Sequence, residues 1–241
     1  MCREDKKNGF VVKQQGKKLV PKEDIQMHKM MIKNLSKKIK TEELLSDIHL
    51  ELESGHVYGV VGRNGSGKSM LFRILSGLIK PTEGEVIVDG KKLFVDIETI
   101  ENLGVIIENE EMYPEFTGYQ NLKFLADIKK KIGEKEIKEA LYRVGLDPTD
   151  KRTVKKYSLG MRQKLAIAQA IMESPDYIFL DEPTNGLDEE SVEQLHKIVL
   201  EEKERGAVIV IASHNKEDIE ILCDTTFAMK NGKIKKRSGE Q

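Results

Sequence analysis

Eight consecutive residues, Gly62-Arg63-Asn64-Gly65-Ser66-Gly67-Lys68-Ser69, have the types and spacing to hold phosphate. Glycines let main-chain N–H groups turn toward an anion, and where such a loop opens a helix, the helix N-terminus adds its partial positive charge. Lys68 has the reach for the terminal phosphates of a nucleotide. Ser69 offers a hydroxyl to Mg²⁺, a hard ion that keeps several waters and takes few protein ligands. Met70 extends the candidate binding segment into the helix. A second group follows the apolar run Tyr177-Ile178-Phe179-Leu180, where Asp181 and Glu182 place two carboxylates at a strand end. Asp181 suits Mg²⁺ through water, and Glu182 suits polarisation of an attacking water, so loss of its carboxylate should suppress hydrolysis far more than binding. The alternative to the first motif is a surface glycine loop, which its place between a predicted strand and a predicted helix argues against; the second alone reads as a solvated strand end, and paired with the first it supports one chemistry.

The elements that must position these residues are legible in the hydrophobic pattern. From Met31 the chain reads strand, turn, strand, with Ile48, Leu50 and Leu52 alternating before the Ser54-Gly55 turn. His56 to Val61 predicts a short strand running into the phosphate motif, and Ser69 to Leu78 predicts a helix ending before Pro81. Further strands are predicted around Val86 to Val88 and Val105 to Ile107, with Asp89-Gly90 as a hairpin turn. The stretch Tyr119 to Met172 reads as helical, broken at Gly133, Gly145 and Pro148. Strands return at Tyr177 to Leu180 and Val208 to Ala212, separated by an amphipathic helix over Ser191 to Glu204. Strands and helices alternating around a parallel core, with a helical insert, define an α/β fold.

Composition narrows the classes. The 241 residues carry 40 Lys or Arg against 41 Asp or Glu, a net charge of −1, which removes a blanket electrostatic argument for nucleic acid. The longest strongly apolar run, Ala207 to Ala212, is far short of the roughly 20 residues of a membrane-spanning helix. Cys2 and Cys223 have no metal-site spacing and are too few for a disulfide framework, which fits a reducing compartment, with Cys223 read as an apolar packing residue. No secretory signal is visible at the N-terminus. Residues 1–29, with eight basic and four acidic residues, read as a flexible basic tail or as a stretch upstream of a true start among Met27, Met30 and Met31. Lys233, Lys235, Lys236 and Arg237 read as a solvated terminus, and the lysine-rich run from Lys129 to Lys138 as an exposed helix face.

With these motifs in place, the chain resembles the nucleotide-binding domain of the ATP-binding cassette (ABC) family from about Met31 onward. Tyr157-Ser158-Leu159-Gly160-Met161-Arg162-Gln163 stands where that family has its Leu-Ser-Gly-Gly-Gln signature, and the Tyr-Ser-Leu-Gly-Met variant is similar to the bacitracin- and lantibiotic-type exporter branch. Pro183 to Asp188 resembles the family's D-loop, and Ala212-Ser213-His214 its switch histidine. The resemblance implies that His214 contacts the γ-phosphate, and that the Ser158 hydroxyl and Gly160 N–H donate to a phosphate of the other subunit. Counting back from Tyr113-Pro114 puts Glu108 where the family usually has Gln, a position facing Mg²⁺ or its water. Ile39 falls where an aromatic usually stacks on adenine; it either covers the ring face, leaving base selectivity loose, or serves only packing.

The implied architecture is a P-loop NTPase: a RecA-like parallel sheet core with an N-terminal antiparallel β subdomain and an inserted α-helical subdomain at about residues 110–172, within an ATPase domain at 30–241. The implied cofactors are ATP and Mg²⁺. Two such domains, as homodimer or heterodimer, sandwich ATP between the phosphate loop of one and the signature of the other. The segment from Glu108 through Tyr113-Pro114-Glu115-Phe116-Thr117 resembles the loop that meets a membrane subunit, so the expected partner is a separate transmembrane permease, with this chain peripheral on the inner face of the membrane. The expected function is powering export, with an antimicrobial peptide or drug-like molecule as the expected substrate. No nucleic-acid partner is expected. Two alternatives are a soluble ABC ATPase acting on nucleic acid or ribosomes, and a subunit that binds ATP without turnover; the presence of Glu182 and His214 argues against the latter.

Overall fold

The computed structural model describes residues 27–107 and 112–237. Two sheets organise it. The first is antiparallel, in the order β2-β1-β4-β5, built from β1 (Lys29–Ile39), β2 (Glu42–Glu53), β4 (Glu83–Val88) and the short β5 (Lys91–Lys92). The second has the order β10-β9-β3-β8-β7-β6, from β3 (His56–Val61), β6 (Leu103–Ile106), β7 (Tyr177–Asp181), β8 (Val208–Ala212), β9 (Thr225–Lys230) and β10 (Lys233–Lys236). Within it every pairing from β9 to β6 is parallel, and only β10 joins antiparallel.

The central strands are apolar at consecutive positions because both faces are covered, the pattern of a buried parallel sheet. Period-two alternation then divides their side chains. Val57, Ile178, Leu180, Ile209 and Ile211 join the helical side of the core. Tyr58, Val60, Tyr177, Phe179, Val208 and Val210 join the other side, against helix α1 (Lys68–Leu75) and the antiparallel sheet. The helical side is built from α2 (Gly118–Lys129), α3 (Glu134–Arg143), α4 (Leu159–Ile171) and α5 (Glu189–Arg205). A seven-residue helix, α6 (Lys216–Leu222), follows β8.

The expected mixed architecture is present, with local differences. His28 and Lys29, assigned from sequence to the basic tail, belong to the fold: the His28 N–H donates to Ser54 Oγ at 2.6 Å, and the Lys29 N–H donates to Asp89 Oδ1 at 2.8 Å. Residues 1–26 of that tail lie outside the described residues. Helix α1 stops at Leu75 rather than Leu78, because Gly77 takes a left-handed conformation and the Ser76 hydroxyl donates to the Phe72 carbonyl at 2.6 Å. The basic run after Asn231-Gly232, read as a solvated terminus, is largely exposed and forms edge strand β10, its main chain pairing with β9 from Lys233 to Lys236. The lysine-rich run is split between α2 and α3, with Lys130 in a left-handed cap; Glu134 and Lys138 pair at 2.6 Å on α3. Cys223 packs as expected, and burial pushes its thiol up to about 12.

Candidate active site

Three neighbouring parallel strands, β3, β8 and β7, end at one edge of the sheet, and each delivers one part of the site. Ligands of open α/β sheets bind at the carboxyl ends of the strands. From β3 the chain enters the loop Gly62 to Gly67 and then α1. Gly67, the residue capping that helix, has φ 108°, and a Cβ there would approach side chains of Leu45 and Met229 to 2.9 Å, so only glycine fits the bend. The first turn of α1 carries no capping side chain and no acidic residue, which leaves its amides and dipole for an anion. Lys68 is buried, with its ammonium donating to the Gly62 carbonyl at 2.9 Å.

From β7 come the two carboxylates. Asp181 is buried and accepts a 2.7 Å hydrogen bond from the Ser69 hydroxyl, which brings the phosphate motif and the acid strand together across 112 residues of sequence. Glu182 has φ 50°, a left-handed conformation that costs a non-glycine residue on the order of 1–3 kcal/mol. Its N–H donates to the Ala212 carbonyl at 2.8 Å, and its carbonyl accepts from the Asn185 N–H at 3.2 Å. The turn swings the Glu182 side chain toward the loop after β8. There the His214 ring Nδ1 lies 2.7 Å from Glu182 Oε2, and the His214 N–H donates to the same oxygen at 3.2 Å.

The cleft over these groups encloses about 700 Å³. Asn64 to Met70, Asp181 and Glu182 line it; Gly62 and Arg63 form the start of the loop beneath, where the Arg63 carbonyl accepts from the Ser66 N–H. Other expected residues lie elsewhere. Ile39 is 46% exposed at the end of β1 and is not among the residues lining the cleft, which Glu42, Glu43 and Leu44 at the start of β2 line instead. Ser158 and Gly160 stand at the N-terminus of α4, outside the cleft; Ser158 Oγ caps the helix by accepting from the Met161 N–H at 3.1 Å. Glu108 lies outside the described residues.

The Asn231-Gly232 turn between β9 and β10, absent from the expected site residues, lines the cleft, and its Gly232 N–H donates to the Ser66 carbonyl at 3.0 Å. An Asn-Gly pair between two strands is a hairpin signal, but nothing local says that this hairpin leans on the phosphate loop. Arg73, Gln163 and Asn185 also line the cleft; the Gln163 amide donates to the Pro183 carbonyl at 2.9 Å and ties α4 to the segment after Glu182.

The Ser69 hydroxyl and Asp181 carboxylate converge as a small all-oxygen donor set. Among the described residues no group of three or more His, Cys, Asp or Glu forms a metal cage. A pair of hard oxygen donors beside a phosphate cradle fits Mg²⁺, which is held by few protein ligands and completes its shell with waters and phosphate oxygens.

A phosphate cradle heading a helix, with an acid pair and a histidine at the ends of adjoining parallel strands, defines a nucleotide-hydrolysing α/β protein. The profile of the ABC transporter family matches residues 45–185, over half of the chain, and the chain belongs to that family. It is similar to the uncharacterized ABC transporter ATP-binding protein YybJ of Bacillus subtilis (strain 168), with 49% identity over 201 residues, 83% of this chain and 92% of that one. It is also similar to the lantibiotic transport ATP-binding protein SrtF of Streptococcus pyogenes, with 36% identity over 205 residues, 85% of this chain and 88% of that one. Among solved structures, the dimeric structure of MJ0796, a bacterial ABC transporter cassette, superposes with a TM-score of 0.77 at 26% identity, covering 88% of this chain and 100% of that one. The chain is thus an ATP-binding subunit of the ABC transporter type and, by family, an ATPase.

Proposed function

We propose that the cleft binds Mg²⁺-ATP and hydrolyses it with these residues in specific roles, and that the energy drives export through a separate membrane permease. Lys68 and the amides of the loop hold the β- and γ-phosphates. Ser69 and Asp181 are the residues that would hold Mg²⁺, which neutralises charge developing on the phosphates. Glu182 accepts the proton of the attacking water, and His214, bonded to the same carboxylate, keeps that oxygen aimed and contacts the γ-phosphate. The observation carrying this reading is the convergence of three strand ends, with Ser69 to Asp181 and Glu182 to His214 each at 2.7 Å.

Ser158 and Gly160 lie away from the cleft of their own chain, which supports a head-to-tail pair in which each signature caps the partner's nucleotide, whether the second subunit is a copy or a relative. ATP then acts as interfacial glue, and hydrolysis releases it. Among the described residues no helix is long and apolar enough to cross a membrane. An exposed aromatic cluster supports permease docking: Tyr113 lies 5.6 Å from Phe116 and 5.2 Å from Phe124, ring centre to ring centre, at the start of the helical subdomain. Such docking puts the chain on the inner face of the membrane. The likeness to SrtF supports an antimicrobial peptide or drug-like cargo. Glu182→Gln should trap an ATP-bound dimer, seen by size exclusion with Mg²⁺-ATP; a variant that binds ATP and stays monomeric overturns the sandwich.

A further inference from the structure

Outside the cleft, beneath its two hydrolytic loops, sits a buried carboxylate with no part in the roles above. Asp218 of α6 is 2% exposed and is not among the residues lining the cleft. Its Oδ2 accepts from the Thr184 hydroxyl at 2.8 Å and lies 3.4 Å from the Ser213 hydroxyl, and its Oδ1 lies 3.1 Å from the His196 ring Nε2 on α5. A buried carboxylate without partners is strongly disfavoured, so three converging groups from three separate segments define where it must sit. Two of those segments are the loops that carry the hydrolytic residues. Thr184 is two positions after Glu182, and Ser213 immediately precedes His214. The Ser213 hydroxyl also accepts from the Asn215 N–H at 3.0 Å, so the main chain is held on both sides of His214.

We propose that Asp218 is a positioning residue for hydrolysis: through Thr184 and Ser213 it fixes the spacing between Glu182 and His214, while His196 holds its second oxygen. This inference rests on the hydrolytic roles proposed for Glu182 and His214. Asp218 does not line the cleft. Its effect travels through loop geometry, and the 2.7 Å contact between Glu182 and His214 is what it maintains. A small displacement there costs turnover without altering the phosphate cradle, because Lys68 is held by the Gly62 carbonyl and the β3–α1 loop by the Gly232 N–H, neither of which belongs to α6.

The test uses the purified full chain, with steady-state ATP hydrolysis, Mg²⁺-ATP affinity and thermal unfolding read on each variant. Asp218→Ala and Thr184→Val should each lower kcat at least tenfold with KM and nucleotide affinity within about twofold, and Thr184→Ser should restore turnover. The double variant should be no slower than Asp218→Ala alone, since both act through one contact. If Asp218→Ala fails to fold, Thr184→Val and Ser213→Ala carry the same comparison. Folded variants with wild-type kcat overturn the inference, as does a strictly additive double variant. Glu182→Gln separates the two readings: if it hydrolyses ATP like the wild type, the hydrolytic assignment itself is wrong, whereas if it is inactive while Thr184→Val and Asp218→Ala are normal, only the positioning role fails.

Discussion

At the scale of single residues, the chemistry depends on a few side chains held in costly states. Lys68 is a buried ammonium, tolerated because it donates to the Gly62 carbonyl and faces a site built for anions. Charge-assisted hydrogen bonds of this kind contribute up to ~3 kcal/mol. Lys68→Ala should therefore weaken Mg²⁺-ATP binding about a hundredfold by calorimetry, and an unchanged dissociation constant would remove Lys68 from the phosphate site. Glu182 carries the other cost, a left-handed backbone. Its type was readable from its place after Asp181, but its direction was not, because that depends on the Ala212 carbonyl of a strand 30 residues further on.

At the scale of elements, the site is accurate because the layers beneath it allow little play. Gly104 on β6 lies directly under α4: a Cβ there would come within 3 Å of the Ala170 carbonyl oxygen, a main-chain atom that cannot swing aside. Gly104→Ala should cost about 1–3 kcal/mol through overpacking, measured as a lower urea midpoint with an unchanged slope. Unaltered stability would mean that α4 slides on the sheet freely. Since Ser158 caps the N-terminus of α4, a shift of this helix also moves Ser158. The helix boundaries followed local signals well. Thr117 and Gln120 form a reciprocal cap on α2, and Asp188 caps α5 by accepting from the Ser191 N–H, so these starts were written in short motifs.

At the scale of the whole molecule, the two sheets are joined near the N-terminus by a polar knot. Asp89, in the turn after β4, accepts from the Tyr177 hydroxyl at 2.8 Å and the Lys29 N–H at 2.8 Å, and its second oxygen lies 2.9 Å from the His28 ring. Burial alone raises the Asp89 carboxyl, but the hydrogen bonds from His28, Lys29 and Tyr177 outweigh it and hold the group below its usual range. A depressed carboxyl stabilises the fold above its unfolded value of about 3.9 and loses that contribution as pH falls through its folded value. Denaturation midpoints should therefore drop below about pH 4 more steeply in the wild type than in Asp89→Asn; identical acid profiles would show that the knot carries no net stabilisation. None of these partners was legible from the sequence, where His28 and Lys29 read as tail, because a two-residue extension of a strand has no periodicity of its own.

The residues from Met31 onward by themselves determined the class of chemistry and the order of the main elements as far as β8, while α6, β9 and β10 were not read from them. Eight consecutive residues suffice to build an amide cradle, and apolar runs of five or six bounded by turns suffice to mark strands β3, β7 and β8, because those signals act within a few bonds of the residues that carry them. Tertiary structure alone decided which groups meet: Ser69 with Asp181, Glu182 with His214, and Asp218 with Thr184 and Ser213. It also chose Glu42, Glu43, Leu44 and the Asn231-Gly232 turn, rather than Ile39, as cleft wall. The physical reason is common to all of these. Hydrogen bonds and close contacts across long stretches of chain depend on strand order and layer spacing, which are set by burial of the sheet on both faces and not by the identity of any neighbouring pair in sequence.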